Sequence, residues 1–188
     1  MAVNTGRKRE RYFSTFDLIL LALFSALVVV AKIVLRMPLR LPGHSGIFWM
    51  ALIIVARGLV PKNGALSLVG LSSGLLAAFM GLGDMGPIYT FLSYLSIGVV
   101  ADLTALFLGG VDEAIPSVLV GILGHIAKIL TKFLLAMLLN IPSGFVALGL
   151  LASIGTYTVF GAIGGLLGWL ILGALRRAGF FAYLAEKR

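Results

Sequence analysis

The sequence predicts an all-α integral membrane protein, a six-transmembrane-helix bundle with both termini in the cytoplasm. Three observations lead there. Of 188 residues, 60% are hydrophobic and only 12% are charged, with a mean hydropathy of +1.10, whereas a soluble domain has about 25% charged residues. Glycine, proline and charged residues divide the chain into six apolar stretches, and the longer ones reach the ~20 residues that a bilayer crossing needs. Lysine and arginine are also unevenly distributed. With the N-terminus inside, Arg7, Lys8, Arg9, Arg11, Arg57, Lys62, Arg176, Arg177, Lys187 and Arg188 fall on the inner side, against Lys32, Arg36 and Arg40 outside. That bias is the one that orients membrane proteins. The net charge of +8 therefore reads as clusters flanking apolar segments, not as a nucleic-acid surface. The absence of cysteine excludes disulfides, thiolate metal sites and a cysteine nucleophile.

Residues 1–15 are expected to form a basic cytoplasmic tail, residues 16–177 the membrane domain, and residues 178–188 a cytoplasmic or interfacial tail. The first span runs from about Phe16 to Leu35. It is too long for the apolar region of a signal peptide and is read as retained. Within it, Ala22 and Ala26 are four residues apart beside Ser25, a small-residue strip that lets another helix approach closely. The outer segment that follows, Arg36 to Gly46, holds Pro38, Pro42, Gly43 and Gly46 and cannot be one helix. Lys32, Arg36 and Arg40 are expected to snorkel toward outer headgroups, the alternative being a role in attracting solute. His44 has no Asp, Glu or second His nearby at ligand spacing, so it makes no metal centre.

The second span, Gly46 to Val60, and the third, Ala65 to Met80, are short and need tilt or shielding by neighbours. Gly70-Leu-Ser-Ser-Gly74 matches the nucleophile-elbow pattern, but that motif requires a strand-turn-helix setting that the surrounding residues do not provide. A glycine-rich outer loop carries Asp84, the one carboxylate expected on that side. The fourth span, Pro87 to Leu108, places Tyr89 at interfacial depth, where aromatic belts form, and Tyr94 more than a turn deeper. The fifth, Ile115 to Asn140, carries His125, Lys128 and Lys132 within roughly 60° of one face, together with Gly121 and Ala136. A lysine at the bilayer centre costs at least ~2.5 kcal/mol. This stripe must therefore face a protein interior, either as a packing network closed by Asp102 or as the lining of a cavity for a polar solute. The sixth span, Ser143 to Leu175, combines Ser153, Thr156 and Tyr157 with Gly161, Gly164, Gly165 and Gly168.

Taken together, the short basic tail, the six segments, the Ala22-x-x-x-Ala26 pair and the Gly/Pro-rich outer loops resemble the substrate-binding S-component of an energy-coupling-factor (ECF) vitamin transporter. The stretch from Ala56-Arg-Gly-Leu-Val-Pro-Lys-Asn-Gly-Ala65 to Gly86-Pro-Ile-Tyr89 looks most like the branch for thiamine or its hydroxymethylpyrimidine precursor. The resemblance implies a high-affinity binding subunit in the cell membrane, with no catalytic residue and no cofactor of its own. Its expected partners are a transmembrane coupling subunit, docked through Ala22 and Ala26, and two ATPase subunits. The chain lacks the G-x-x-x-x-G-K-[ST] loop of an ATPase, so ATP is used by those partners. Carried over by position, the solute contacts are Trp49, Asp84, Tyr89, Tyr94, Lys132, Asn140 and Tyr157, with His44 and Lys128 as additions. One departure is that the basic interior suits a carboxylate-bearing vitamin such as biotin or pantothenate better than cationic thiamine.

Three other readings compete. A self-sufficient small transporter would relay protons through Asp102, His125 and Lys128, although six spans without a repeat are few for one. An intramembrane hydrolase would pair Ser72 or Ser73 with His125. An assembly subunit would bind no ligand at all.

Overall fold

Each predicted stretch is a helix: α1 Thr15–Val34, α2 Gly46–Leu59, α3 Ala65–Phe79, α4 Pro87–Phe107, α5 Ala114–Leu138 and α6 Ser143–Arg177. The computed structural model describes residues 12–34, 43–83, 86–139 and 143–182, and no strand occurs among them. Among the described residues, four helices are long and apolar enough to cross a membrane: α1, α4, α5 and α6 from Leu148 onward. α2 and α3 are shorter apolar helices of 14 and 15 residues.

Local chemistry sets the boundaries. At the start of α1 the Ser14 N–H donates to Asp17 Oδ2 and the Asp17 N–H to Ser14 Oγ, both at 3.1 Å. This reciprocal box satisfies two amides that have no intrahelical partner. Pro61 excludes the residue before it from helical backbone; Val60 sits at φ −121°, ψ 82°, and α2 ends at Leu59. The return into α3 passes through Gly64 at φ +86°, a left-handed conformation open to glycine at little cost.

The bundle is organised around α2. Successive neighbours α1–α3, α3–α4, α4–α5 and α5–α6 form an open ring, and α2 packs against α1, α3, α5 and α6, closing the gap between the last helix and the first. Eleven of its fourteen residues are buried, as expected of a helix that is apolar all round.

Glycine permits the closest crossings. A methyl group on Gly121 of α5 would run into the Gly161 carbonyl of α6 and lie 3.0 Å from Gly165 Cα, and Gly70 of α3 and Gly98 of α4 stand in the same relation. Gly164 and Gly168 face Ile47, Met50 and Ile54 of α2. The small residues of α6 thus serve two neighbours at once. The elbow-like stretch lies inside α3, with Gly70 and Gly74 against α4 and Ser73 Oγ donating to the Val69 carbonyl at 2.6 Å. Ala22 and Ala26 are exposed, while Ser25 between them is buried and donates to the Leu21 carbonyl at 2.8 Å. Among the described residues, no neighbouring helix covers that alanine strip.

Candidate functional site

The two ends of the bundle treat their polar groups differently. At one end, Arg57 is 5% exposed near the end of α2 and pairs with Asp102 of α4 at 3.5 Å. Asp102 Oδ2 also accepts from the Ser67 N–H (3.0 Å) and hydroxyl (2.9 Å), while Arg57 donates to the Lys62 carbonyl and to Asn63 Oδ1. Lys62 closes a second pair with buried Asp17 at 2.8 Å and donates to the Tyr12 carbonyl at 2.7 Å. At the same end, Asp112 between α4 and α5 pairs with Arg176 and accepts from the Trp169 indole through its carbonyl. Asp102 therefore does not close a network on the α5 stripe. The reason is that α2 is enclosed on nearly every side, which carries Arg57 into the interior, where a carboxylate offsets its charge.

At the other end, four rings from four helices meet. His125 of α5, 0% exposed, stands edge-on to Trp49 of α2 with centroids 5.0 Å apart, and lies 4.6 Å from Tyr157 of α6. Trp49 is 6.4 Å from Tyr94 of α4. Two lysines attend the pair: Lys128 Nζ is 5.2 Å from the Trp49 centroid and Lys32 Nζ is 5.4 Å from that of Tyr94. Lys32, at the end of α1, also donates to the Leu82 carbonyl at 2.6 Å. It is turned into the protein and does not snorkel outward.

The backbone turn before α2 lies over this centre. Gly43 (φ +83°) faces the Tyr157 ring, with room for its backbone alone, and a methyl on Gly46 would overlap the His125 imidazole. Glycine at these positions lets the turn sit directly on the two rings.

Among the described residues, several polar groups here are buried without a hydrogen-bond partner. They are Tyr94 Oη, both ring nitrogens of His125, and Oγ of Ser93, the residue before Tyr94. The Tyr157 backbone lies alongside the imidazole, but among the described residues no group meets hydrogen-bond geometry with either nitrogen. An unmet buried polar group costs about 1–3 kcal/mol; Asp17 Oδ1, Arg57 Nε and Asp102 Oδ1 at the opposite end are in the same position, so what sets this cluster apart is the set of ring faces around it.

The structure brings Trp49, Tyr94, Tyr157 and Lys128 of the expected contacts together. His44 is half-buried in the adjoining turn. Tyr89 is buried, not belted at an interface, and Lys132 is exposed one turn beyond Lys128. Asp84 and Asn140, like Arg36 and Arg40, lie outside the described residues. Two members of the centre were not among the expected contacts. Lys32 had a readable signal, since it extends the buried stripe Leu21, Ser25, Val28 at helical spacing. His125 was read as part of the polar stripe, and its ring partners come from helices distant in sequence.

Searches against family models, characterised proteins and solved structures found no match to this chain.

Proposed function

We propose that the protein is the substrate-binding subunit of an ECF-type importer, taking a small water-soluble vitamin or vitamin precursor into the cluster of Trp49, Tyr94, His125 and Tyr157. The observation that carries this reading is the coincidence of stacked aromatic faces with unpartnered buried polar atoms of Ser93, Tyr94 and His125. Solute sites combine an apolar, largely aromatic lining with a few polar groups that fix orientation. Trp49 and Tyr157 would stack on a ring, and His125, Tyr94 and Lys128 would hold its polar substituents. Asp84, Tyr89, Lys132, Asn140 and His44 belong to the same proposal as contacts from the surrounding loops and helix ends.

In this reading all six helices span the cell membrane, with both termini cytoplasmic and the aromatic cluster toward the outer face. α2 would extend only about 21 Å at 1.5 Å per residue, and the surrounding helices would shield its ends. The exposed Ala22 and Ala26 support docking on a coupling subunit, because among the described residues the strip is not consumed by packing. A proton relay through Asp102, His125 and Lys128 has less support, since Asp102 is held by Arg57 and Ser67.

Thermal unfolding of the purified chain against a panel of water-soluble vitamins and precursors tests the site. At a thousandfold excess over Kd the correct solute adds about 4 kcal/mol of apparent stability. No shift with any member of the panel would remove the binding reading. Ala22→Trp is expected to keep that shift while abolishing assembly with a coupling subunit, and retained assembly would remove the docking role.

A further inference from the structure

The face of α5 that reaches the aromatic cluster grades from sealed to open along one line. At ~100° per residue, Gly121, His125, Lys128 and Lys132 share an arc of roughly 60°. Gly121 is wedged against α6, His125 is 0% exposed, Lys128 is half-buried with its Nζ 5.2 Å from the Trp49 centroid, and Lys132 is exposed. The exposed apolar stripe of this helix, Leu119, Leu123, Leu130, Leu134 and Met137, lies about 180° away on the same count. Lipid would cover that stripe, so Lys132 meets solvent on the inward face. Fraying of α5 does not account for its exposure, because the flanks stay packed: Thr131 donates to Ser96 Oγ of α4 at 2.8 Å, and Ile129 and Ala136 are buried.

α6 supplies a second wall. Ser153 precedes Tyr157 and Gly161 at four-residue spacing, on the face whose Tyr157 ring meets His125, and it is half-buried. Leu151, an exposed apolar residue of the same helix, points about 160° away from it. α4 behaves differently at this end: Thr90, Ser93, Tyr94 and Ile97 are buried almost from its first turn. The turn before α2 covers the Tyr157 and His125 rings, which leaves the Lys128 side of Trp49 as the side that opens outward. A lysine facing the interior of a membrane bundle is kept where water or a partner reaches it, and for exposed Lys132 that is water.

We propose that a water-filled entrance at the cluster end of the bundle, walled by α5 and α6 at Lys132 and Ser153, conducts the solute past Lys128 to Trp49, beside the glycine turn. This rests on the binding reading above for what passes through, and on the two helix faces for its geometry. Lys132 becomes the first side chain of the described helices that a solute meets, and Lys128 the last before the rings.

The chain contains no cysteine, so single cysteines can be placed without background. Lys132→Cys and Ser153→Cys are compared with Leu134→Cys and Leu151→Cys, which stand two residues away on the opposite faces, in full-length protein held in phospholipid nanodiscs. The probes are two membrane-impermeant methanethiosulfonates, one carrying a sulfonate and one a trimethylammonium group, so that local charge does not decide the outcome. Both inward cysteines are expected to react about tenfold or more faster than their outward counterparts with each reagent, because the reactive thiolate forms in water and not in apolar surroundings. Unfolding temperatures near that of the parent establish that the variants are folded. Equal rates on the two faces, whether all slow or all fast, overturn the entrance, as does a fast Lys132→Cys beside a slow Ser153→Cys. The vitamin panel, run on the parent protein, separates the two readings. Silence there with reactive inward cysteines removes the binding reading and leaves the opening, whereas a binding vitamin with unreactive inward cysteines removes the entrance and leaves the site. For a vitamin that binds, attaching a bulky maleimide to the Lys132→Cys protein should slow its association, and an unchanged rate overturns the route.

Discussion

The Arg57 end and the His125 end are both buried and both rich in polar groups, and each leaves some of them without a hydrogen bond, but what surrounds those groups differs. Around Arg57, charges are paired: guanidinium with carboxylate, ammonium with carboxylate, and a serine donating to the same Asp102 oxygen as its own amide. Around His125, aromatic faces and two lysines surround polar atoms that have no hydrogen bond. Asp17 Oδ1, Arg57 Nε and Asp102 Oδ1 also lack a hydrogen bond, but each belongs to a charged group held in an ion pair, whereas the unmet atoms of Ser93, Tyr94 and His125 lie among ring faces. The asymmetry separates a fastening from a receptacle.

That comparison can be broken most forcefully at the fastening. Asp102→Ala leaves the Arg57 guanidinium buried without its carboxylate, and the expected loss is about 3–5 kcal/mol in denaturant unfolding of the purified protein. Arg57→Met combined with Asp102→Leu should recover most of it, since apolar residues of similar volume replace buried pairs well. If the single variant unfolds like the parent, the pair is not a fastening.

A smaller effect is expected where the turn meets the receptacle. Gly46→Ala pushes a methyl into the His125 ring and should cost about 1–3 kcal/mol, the usual range for overpacking, while weakening solute binding. A variant with parental stability would show that the turn can lift off the imidazole.

The smallest stability effect sharpens the contrast. Tyr94→Phe removes a hydroxyl that has no partner, so the unliganded protein should unfold within about 0.5 kcal/mol of the parent or slightly above it. Solute affinity, measured by the shift in unfolding temperature, should fall. A loss of stability as large as that at Asp102 would mean that the two ends are alike.

Much of the helix layout was legible in the sequence. Pro61, Gly64 and Pro87 marked turns or helix starts, and apolar stretches with few charges gave the lengths. The arrangement of the helices was less so. Nothing in the residues of α2 says that it becomes the enclosed element, because an apolar helix facing lipid and one facing protein have the same composition. For that reason Arg57 read as a flanking charge when it is interior, and Lys32 read as an anchor when it is turned inward. The glycines of α3 and α6 were recognised as contact residues, but which helix each would meet depends on packing between distant segments. Trp49, Tyr94, Tyr157 and Lys128 could be proposed from residue type and depth, whereas the ring contacts that join them to His125 are visible only once α2, α4, α5 and α6 are assembled.

The pairing of Arg57 with Asp102 also has a consequence for how the chain is made. The arginine leaves the ribosome 45 residues ahead of the aspartate, at a time when most of the helices that will enclose α2 do not yet exist. Until then the guanidinium lacks the Asp102 carboxylate that offsets its burial. Synthesis of α4 supplies that counter-charge, so enclosing α2 with its buried arginine draws on a helix translated two elements later.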